Sequence, residues 1–315
     1  MKFNAKLLFT VILICVMAFS VVGCTKTEAK PDPTPPPTTD PVLNPEDVLE
    51  AAAKAYFPKV AESNNMIASE EVHELLEANP NSLLIIDIRS AEDFEAGHIT
   101  GAVHSPWPEV GQIIDRIPTN KPVVIACYTG QTSGQTVGVL RAIGFENVKS
   151  LTSGIRLGWT EKSGFELEGT GMVAASELSS VSSAATPEEE ILWDAAKAYF
   201  PKVAASAEGN KLISGPDLHE ALEANPKSFY VVDIRSADDF ALKHIAGSVH
   251  SPWSKFGEML DTLPTNLPIV VACYSGQTAG QTLGILRLMG YDAYSLAYGV
   301  HNGWEAKDGL PLVSN

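Results

Sequence analysis

"PVVIACYTGQTSGQTVGVLRAIG", Pro122–Gly144, opens with a short run that is apolar at nearly every position, turns at Cys127 into a polar glycine loop, and ends with apolar residues at helical spacing. That order spells strand, cysteine, glycine loop, helix. It occurs twice. "ACYTGQTSGQT" (Ala126–Thr136) is matched by "ACYSGQTAGQT" (Ala272–Thr282), and segments 126–144 and 272–290 agree at 13 of 19 positions.

Working outward, the repeat widens to whole domains. "DIRSAEDFEAGHITGAVHSPW" (87–107) and "DIRSADDFALKHIAGSVHSPW" (233–253) agree at 15 of 21 positions, and "AAKAYFPKV" stands at both 52–60 and 195–203. Each copy thus begins with a helix before its sheet. The period is far too long for a solenoid. In copy one "LLIID", "GAVHS", "PVVIA" and "VKSL" read as short strands. Helical stretches run between them to Ala96, over "PEVGQIIDRI" and over "SGQTVGVLRAIG", and "GIRLGWTEK" ends the series. Strands apolar on both faces that alternate with helices predict a parallel sheet covered on each side, so each copy is an α/β domain. The expected organisation is a leader at 1–23, a Pro-rich tether at 24–45, domain 1 at 46–167, a Ser/Ala-rich linker at 168–186 and domain 2 at 187–315. A capping box, Thr186-Pro187-Glu188-Glu189, opens the second copy.

A loop just past the C-terminal end of a strand is where open α/β sheets hold ligands. Gly130 and Gly276 let the backbone curl so that successive N–H groups point inward, and the following helix adds its positive dipole end. Both effects favour a thiolate over a thiol at Cys127 and Cys273, and both would hold an anion joined to that sulfur.

On these residues both copies resemble rhodanese-like (sulfurtransferase) domains. The resemblance is carried by "DIR", the "GHI" of copy one and the loop "CYTGQT", and it covers nearly all of 46–165 and 188–310. It implies that the loop cysteine takes a sulfane sulfur from a small donor, becomes a persulfide, and passes the sulfur to a thiophilic acceptor without a cofactor. It also implies that the five following residues cradle the outer sulfur by their amides. These are Tyr128, Thr129, Gly130, Gln131 and Thr132, then Tyr274, Ser275, Gly276, Gln277 and Thr278. Cell-cycle-type dual-specificity phosphatases have a similar fold, with a loop one residue longer that ends in a phosphate-binding arginine. Here the sixth residue is Ser133 or Ala279, and neither loop contains arginine, which argues against phosphate chemistry. Thiosulfate-specific members often carry a loop cation and a second arginine four positions after that of "DIR". The second position here is Asp93 or Asp239, so weak thiosulfate activity is expected. Copy two also has Lys243 where copy one has Gly97. A non-catalytic binding or sulfur-carrier module is the alternative, and the intact cysteine loop in both copies favours the enzyme.

Asp87/Arg89 and Asp233/Arg235 at strand ends are expected as structural ion pairs. His98 and His244 match the family's structural histidine; His104, His250, Trp107 and Trp253 are expected to pack inward, and Arg156 and His301 are candidates to approach the loop. No metal site is expected, because the histidines do not cluster with cysteines and no Cys-x-x-Cys occurs. A Cys127–Cys273 disulfide would need two loop mouths within about 4.4–6.8 Å of each other between Cα atoms, which nothing in the repeat requires.

The formal charge of −16 argues against nucleic-acid and anionic-lipid partners, and a monomer is expected. Met1–Lys6 is cationic, Leu7–Val22 is an apolar run of 16 residues, and "VVGC" ends at Cys24, the pattern of a secretory signal with a lipobox. A membrane-spanning anchor is the alternative, but spanning takes about 20 residues. Removal of 1–23 leaves 20 Lys+Arg against 38 Asp+Glu, a charge of −18. A diacylglyceryl thioether on Cys24 would then anchor the domains outside the cytoplasm, at the outer membrane in a diderm host because Thr25 rather than Asp follows. The tether, with seven prolines in the 21 residues 25–45, would reach roughly 65 Å at about 3.1 Å per residue. Cys24→Ala should release the protein from the membrane fraction with loss of the acyl mass; unchanged partitioning would refute the anchor.

Overall fold

The computed structural model describes residues 43–204 and 209–314; the expected signal segment, Cys24 and most of the tether lie outside them. Among the described residues no helix is long and apolar enough to cross a membrane. Copy one runs α1 (Pro45–Lys59), β1 (Met66–Ile67), α2 (Ser69–Ala78), β2 (Leu84–Asp87), α3 (Ala91–Ala96), β3 (Val103–His104), 3₁₀ turns over Trp107–Arg116, β4 (Val123–Ala126), α4 (Gln131–Ala142), β5 (Val148–Leu151) and a π-helical segment, Gly154–Lys162. Copy two repeats it with α5 (Pro187–Ala204), β6 (Leu212–Ile213), α6 (Gly215–Ala224), β7 (Tyr230–Asp233), α7 (Ala237–Leu242), β8 (Val249–His250), 3₁₀ turns over Trp253–Thr262, β9 (Ile269–Ala272), α8 (Gln277–Leu288), β10 (Ala293–Leu296) and a π-helical segment, Gly299–Lys307.

The sheets are ordered β1-β5-β4-β2-β3 and β6-β10-β9-β7-β8, and every pairing is parallel. The continuous apolar runs become central strands buried on both faces. Ile86, Val123 and Ile125 belong to one cluster, while Ile85 and Val124 belong to the opposite one. Register puts Asp87 opposite Ala126, so the "DIR" turn ends beside the residue before Cys127. The expected helix over "PEVGQIIDRI" is instead a run of 3₁₀ turns, and its buried Val110 and Ile113 are three residues apart, the 3₁₀ repeat. β1 and α2 were not legible from strand runs; their trace is the repeated "HELLEANP" (73–80) and "HEALEANP" (219–226).

Each leading helix packs on the other copy. Ala53, Tyr56 and Phe57 of α1, with Val60 at its C-cap, share a cluster with Phe256, Leu260, Val271 and Leu283, while Trp193, Ala196, Tyr199, Phe200 and Val203 of α5 join Val110, Ile113 and Ile125. The Tyr56 hydroxyl donates to Gln281 Oε1 at 2.6 Å, and Lys54 Nζ lies 2.8 Å from Asp261. Half of the capping box forms, with Glu189 N donating to Thr186 Oγ1 at 3.2 Å, while the Glu189 carboxylate accepts from Ala185 N, one residue before the cap, at 2.6 Å. The linker is more than a join: Gly169 pairs with His98, Ala174 with His104, and Ala175 is buried in the core of copy one.

The two copies meet along α4 and α8. A Cβ added at Gly134 would stand 2.6 Å from Gln277 O, at Gly138 2.2 Å from Gln281 O, and at Gly280 2.6 Å from Gln131 O, so only glycine permits this backbone approach. The register advances along both helices in the same direction. They therefore run parallel, and both cysteine loops lie at one end of the pair. Phe57→Ala should cost about 3–5 kcal/mol and, because the helices are exchanged, should reduce hydrogen-exchange protection over 253–262 more than over 107–116; the opposite order would contradict the exchange.

Candidate functional site

Cys127 directly follows β4 with 3 % exposure and Cys273 directly follows β9 with 2 %, and both are free thiols. Gly130, at φ +88°, caps α4 in the left-handed region and folds the chain back over the sulfur. Cys127 Sγ accepts from Gly130 N at 3.2 Å and Ser133 N at 3.3 Å; Cys273 Sγ accepts from Gly276 N at 3.1 Å and Ala279 N at 3.3 Å. Gln131, Thr132 and Ser133 are the first three helical residues, whose N–H groups have no acceptor within the helix. A negative charge on the sulfur, or on an atom joined to it, is therefore met by first-turn amides and by the helix dipole.

The first loop residue is anchored by its side chain. The Tyr128 hydroxyl donates to Asp93 Oδ2 and accepts from Ser90 N at 3.2 Å; Tyr274 does the same with Asp239 and Ser236 N, the latter at 3.1 Å. Hydrogen bonds from Tyr128 and then Ser90 hold the Asp93 carboxyl below its ordinary value, and those from Ser236 and then Tyr274 do so for Asp239. These depressed carboxyls keep their bonds above the usual carboxylate range and lose them as pH falls through the lowered value. The electrostatic consequence is one ionised carboxylate beside each loop. Thr129 and Ser275 are half-buried, as are Thr132 and Thr278, and none of the four carries charge.

The strand-end residues form a buried ion pair in each copy. Arg89 donates from Nε and Nη2 to Asp87, closest at 2.7 Å, and from Nη2 to Gly97 O at 2.8 Å; Arg235 repeats this with Asp233 and with Lys243 O at 2.6 Å. Gly97 has φ 161°, extended backbone that any residue adopts, so Lys243 takes its place without strain. His98 stacks on Phe94 with ring centroids 3.8 Å apart and bonds Phe94 O through Nδ1; His244 bonds Phe240 O in the same way. His104 and His250 bond the carbonyls of Arg89 and Arg235, and Trp107 and Trp253 pack against the cores.

Gln131 and Gln277, expected to act through their backbone amides, also use their side chains. Their side chains cross between copies: Gln277 Nε2 donates to Ser150 Oγ at 3.0 Å and Leu151 O at 3.1 Å, and its Oε1 accepts from Ser153 N at 2.9 Å. Gln131 Oε1 accepts from Tyr298 N at 3.1 Å, and its Nε2 donates to Leu296 O at 3.4 Å. Arg156 and His301 do meet the loops, through their backbone N–H groups on Tyr128 O and Tyr274 O, while both side chains are exposed.

Sequence reasoning missed Gly154 and Gly299, which hold the loops from below. At φ +65°, a Cβ on Gly154 would lie 2.6 Å from Cys127 O, Thr129 N and Gly130 N; Gly299 stands likewise under Cys273. The available signal was a glycine at the same place after the last strand of each copy. It also missed Ser150, which touches both Ser133 and Gln277.

The rhodanese-like domain family matches residues 68–162 and 214–307, more than half of the chain. The chain belongs to that family. It is 36% identical over 78 residues to the thiosulfate sulfurtransferase GlpE of Tolumonas auensis, covering 25% of this chain and 73% of that one. It is 35% identical over 81 residues to the putative sulfur carrier protein YrkF of Bacillus subtilis, covering 26% and 43%. Among solved structures it is similar to SseA of Escherichia coli, described as a 3-mercaptopyruvate sulfotransferase, with 21% identity, a TM-score of 0.32 and coverage of 75% and 99%. Gly154→Ala should cost about 1–2 kcal/mol in left-handed strain alone and raise hydrogen exchange across 127–133 while leaving 273–279 as in the wild type; unchanged exchange at 127–133 would contradict the contact.

Proposed function

We propose that this chain is a lipid-anchored, extracytoplasmic sulfurtransferase that moves sulfane sulfur through persulfides on Cys127 and Cys273. One observation carries the reading: in both copies a buried cysteine sulfur accepts from two amides of a loop that opens a helix. The sulfurtransferase and sulfur-carrier names of the relatives support it. In the first half-reaction the thiolate attacks the outer sulfur of the donor. The donor S–S bond breaks with its electron pair on the leaving group, sulfite in the case of thiosulfate, and a cysteine persulfide forms. In the second, a thiolate or cyanide acceptor attacks the outer sulfur, and the cysteine leaves as thiolate. No proton need move at the sulfur, which agrees with histidines that serve structure.

Donor choice follows from charge. The loops offer amides and neutral side chains, and Asp93 and Asp239 stand ionised beside them, so a dianion is attracted only by backbone dipoles. Less charged persulfides and polysulfides suit the site better than thiosulfate. The location rests on the Cys24 lipobox of the sequence, and the acceptor is a small thiophile reaching the same loop mouth.

Mass spectrometry of donor-treated protein should find one additional sulfur on each cysteine-loop peptide, and steady-state thiosulfate:cyanide assays should give a high KM. Thr129→Lys should lower that KM by about fivefold, since one charge pair at 4 Å in water is worth about 1 kcal/mol. Absence of added sulfur on both peptides with every donor tried would favour the non-catalytic module instead.

A further inference from the structure

Between the copies lies a buried line of hydrogen bonds that reaches only one of the two sulfurs. Both hydrogens of Gln277 Nε2 are committed, to Ser150 Oγ at 3.0 Å and Leu151 O at 3.1 Å, and Oε1 is fixed as acceptor by Ser153 N at 2.9 Å. Ser150 Oγ is therefore an acceptor toward Gln277. Its single hydrogen has two possible acceptors, Ser133 Oγ at 2.8 Å and Gly130 O at 3.5 Å, and the shorter contact takes it. Ser133 Oγ then accepts from Ser150 and has one hydrogen left, with Gly130 O at 3.0 Å and Cys127 Sγ at 3.3 Å both in reach. While the sulfur is a thiol, S–H donates to Ser133 and the hydroxyl donates to Gly130 O. Once the sulfur is an anion, rotation about the Ser133 Cβ–Oγ bond turns the hydroxyl hydrogen onto it.

Copy two has no such line. Ala279 stands where Ser133 does, Ser295 Oγ donates to Gly276 O at 3.4 Å, and Gln131 bonds Leu296 O and Tyr298 N instead of a serine. The two sulfurs are otherwise alike, each buried and each taking two amides at 3.1–3.3 Å.

We infer that Ser133 is a positioning residue for Cys127, oriented through Ser150 by Gln277 from the other copy's loop, and that the two sites are chemically unequal, with Cys127 favoured as thiolate. Under the sulfur-transfer reading above, on which this role rests, the relay stabilises the Cys127 anion both before it attacks a donor and as it leaves to the acceptor. A hydrogen bond to a charged acceptor favours that anion by about tenfold. Nucleophilicity per anion falls as stability rises, with a Brønsted coefficient of about 0.4–0.5, so the net gain in attack rate is about threefold where the thiol form predominates.

The test is peptide-resolved alkylation of the full-length protein by limiting iodoacetamide at mildly acidic pH, a readout that needs no sulfur donor. Wild type should show Cys127 alkylated about threefold faster than Cys273. Ser133→Ala should slow Cys127 to the rate of Cys273 and leave Cys273 unchanged, and Ser150→Ala should slow Cys127 in the same direction. Ala279→Ser should quicken Cys273. A merely structural Ser133 would act in the opposite sense, because a loosened loop exposes a buried sulfur and speeds its alkylation. An unchanged or faster Cys127 in Ser133→Ala, or an unmoved Cys273 in Ala279→Ser, would overturn the relay. Persulfide loading measured separately distinguishes this from failure of the functional reading: an alkylation ratio that responds to Ser133 with no sulfur loaded sinks only the latter.

Discussion

The backbone contact between α4 and α8 constrains the rest of the molecule. With Gly134, Gly138, Gly280 and Gly284 on the facing surfaces, the helices run parallel and so close that any side chain would strike a carbonyl of the partner. Two parallel helix dipoles repel, yet here their positive ends are placed together beside two buried sulfurs. What is unfavourable for the helices would favour a negative charge at either sulfur. In a chain of charge −16 with no loop cation, this pairing supplies positive potential without a basic side chain.

The exchanged leading helices make the contact difficult to undo. α1 completes the core of copy two and α5 that of copy one, so separating α4 from α8 would also pull Phe57 and Phe200 out of cores where each is fully buried. The buried amides follow the same logic. Gln281 takes Tyr56 and Asn65, and Gln135 takes Tyr199, joining each exchanged helix to the helix pair. The two repeats thus form one packed unit rather than separable modules joined by a linker. The links that Gln131 and Gln277 make to the last strand of the other copy and the turn after it are possible only because that unit is fixed.

Much of this was legible in the sequence. Continuous apolar runs such as "PVVIA" read as strands buried on both faces, and the order strand, cysteine, glycine, helix is found in both copies. The pairing of Asp87 with Arg89 at a strand end was also readable. The exchange of α1 and α5 was not, because an amphipathic helix shows that it has an apolar face but not which of two nearly identical surfaces will cover it. "GQTSGQT" reads equally as a flexible loop or as a surface for close helix contact, and only the partner backbone at 2.2–2.6 Å decides between them. Gln131 and Gln277 were read for their amides, while their side chains do separate work across an interface that one repeat alone does not possess.

A duplicated site within one chain also serves as its own control. Between Cys127–Gly134 and Cys273–Gly280 two residues differ, Thr129/Ser275 and Ser133/Ala279. The first pair keeps a hydroxyl at a half-buried position of the loop. The Gly97/Lys243 difference keeps the extended carbonyl that each residue offers to the same arginine and adds an ion pair from Lys243 Nζ to Glu305 at 2.5 Å in copy two. Ser133/Ala279 is of another kind: it removes a hydroxyl 3.3 Å from the sulfur and leaves the amides, the burial and the anchoring tyrosine in place. Chemical inequality of the two cysteines therefore has its source at one side chain, and that side chain is oriented from the opposite repeat.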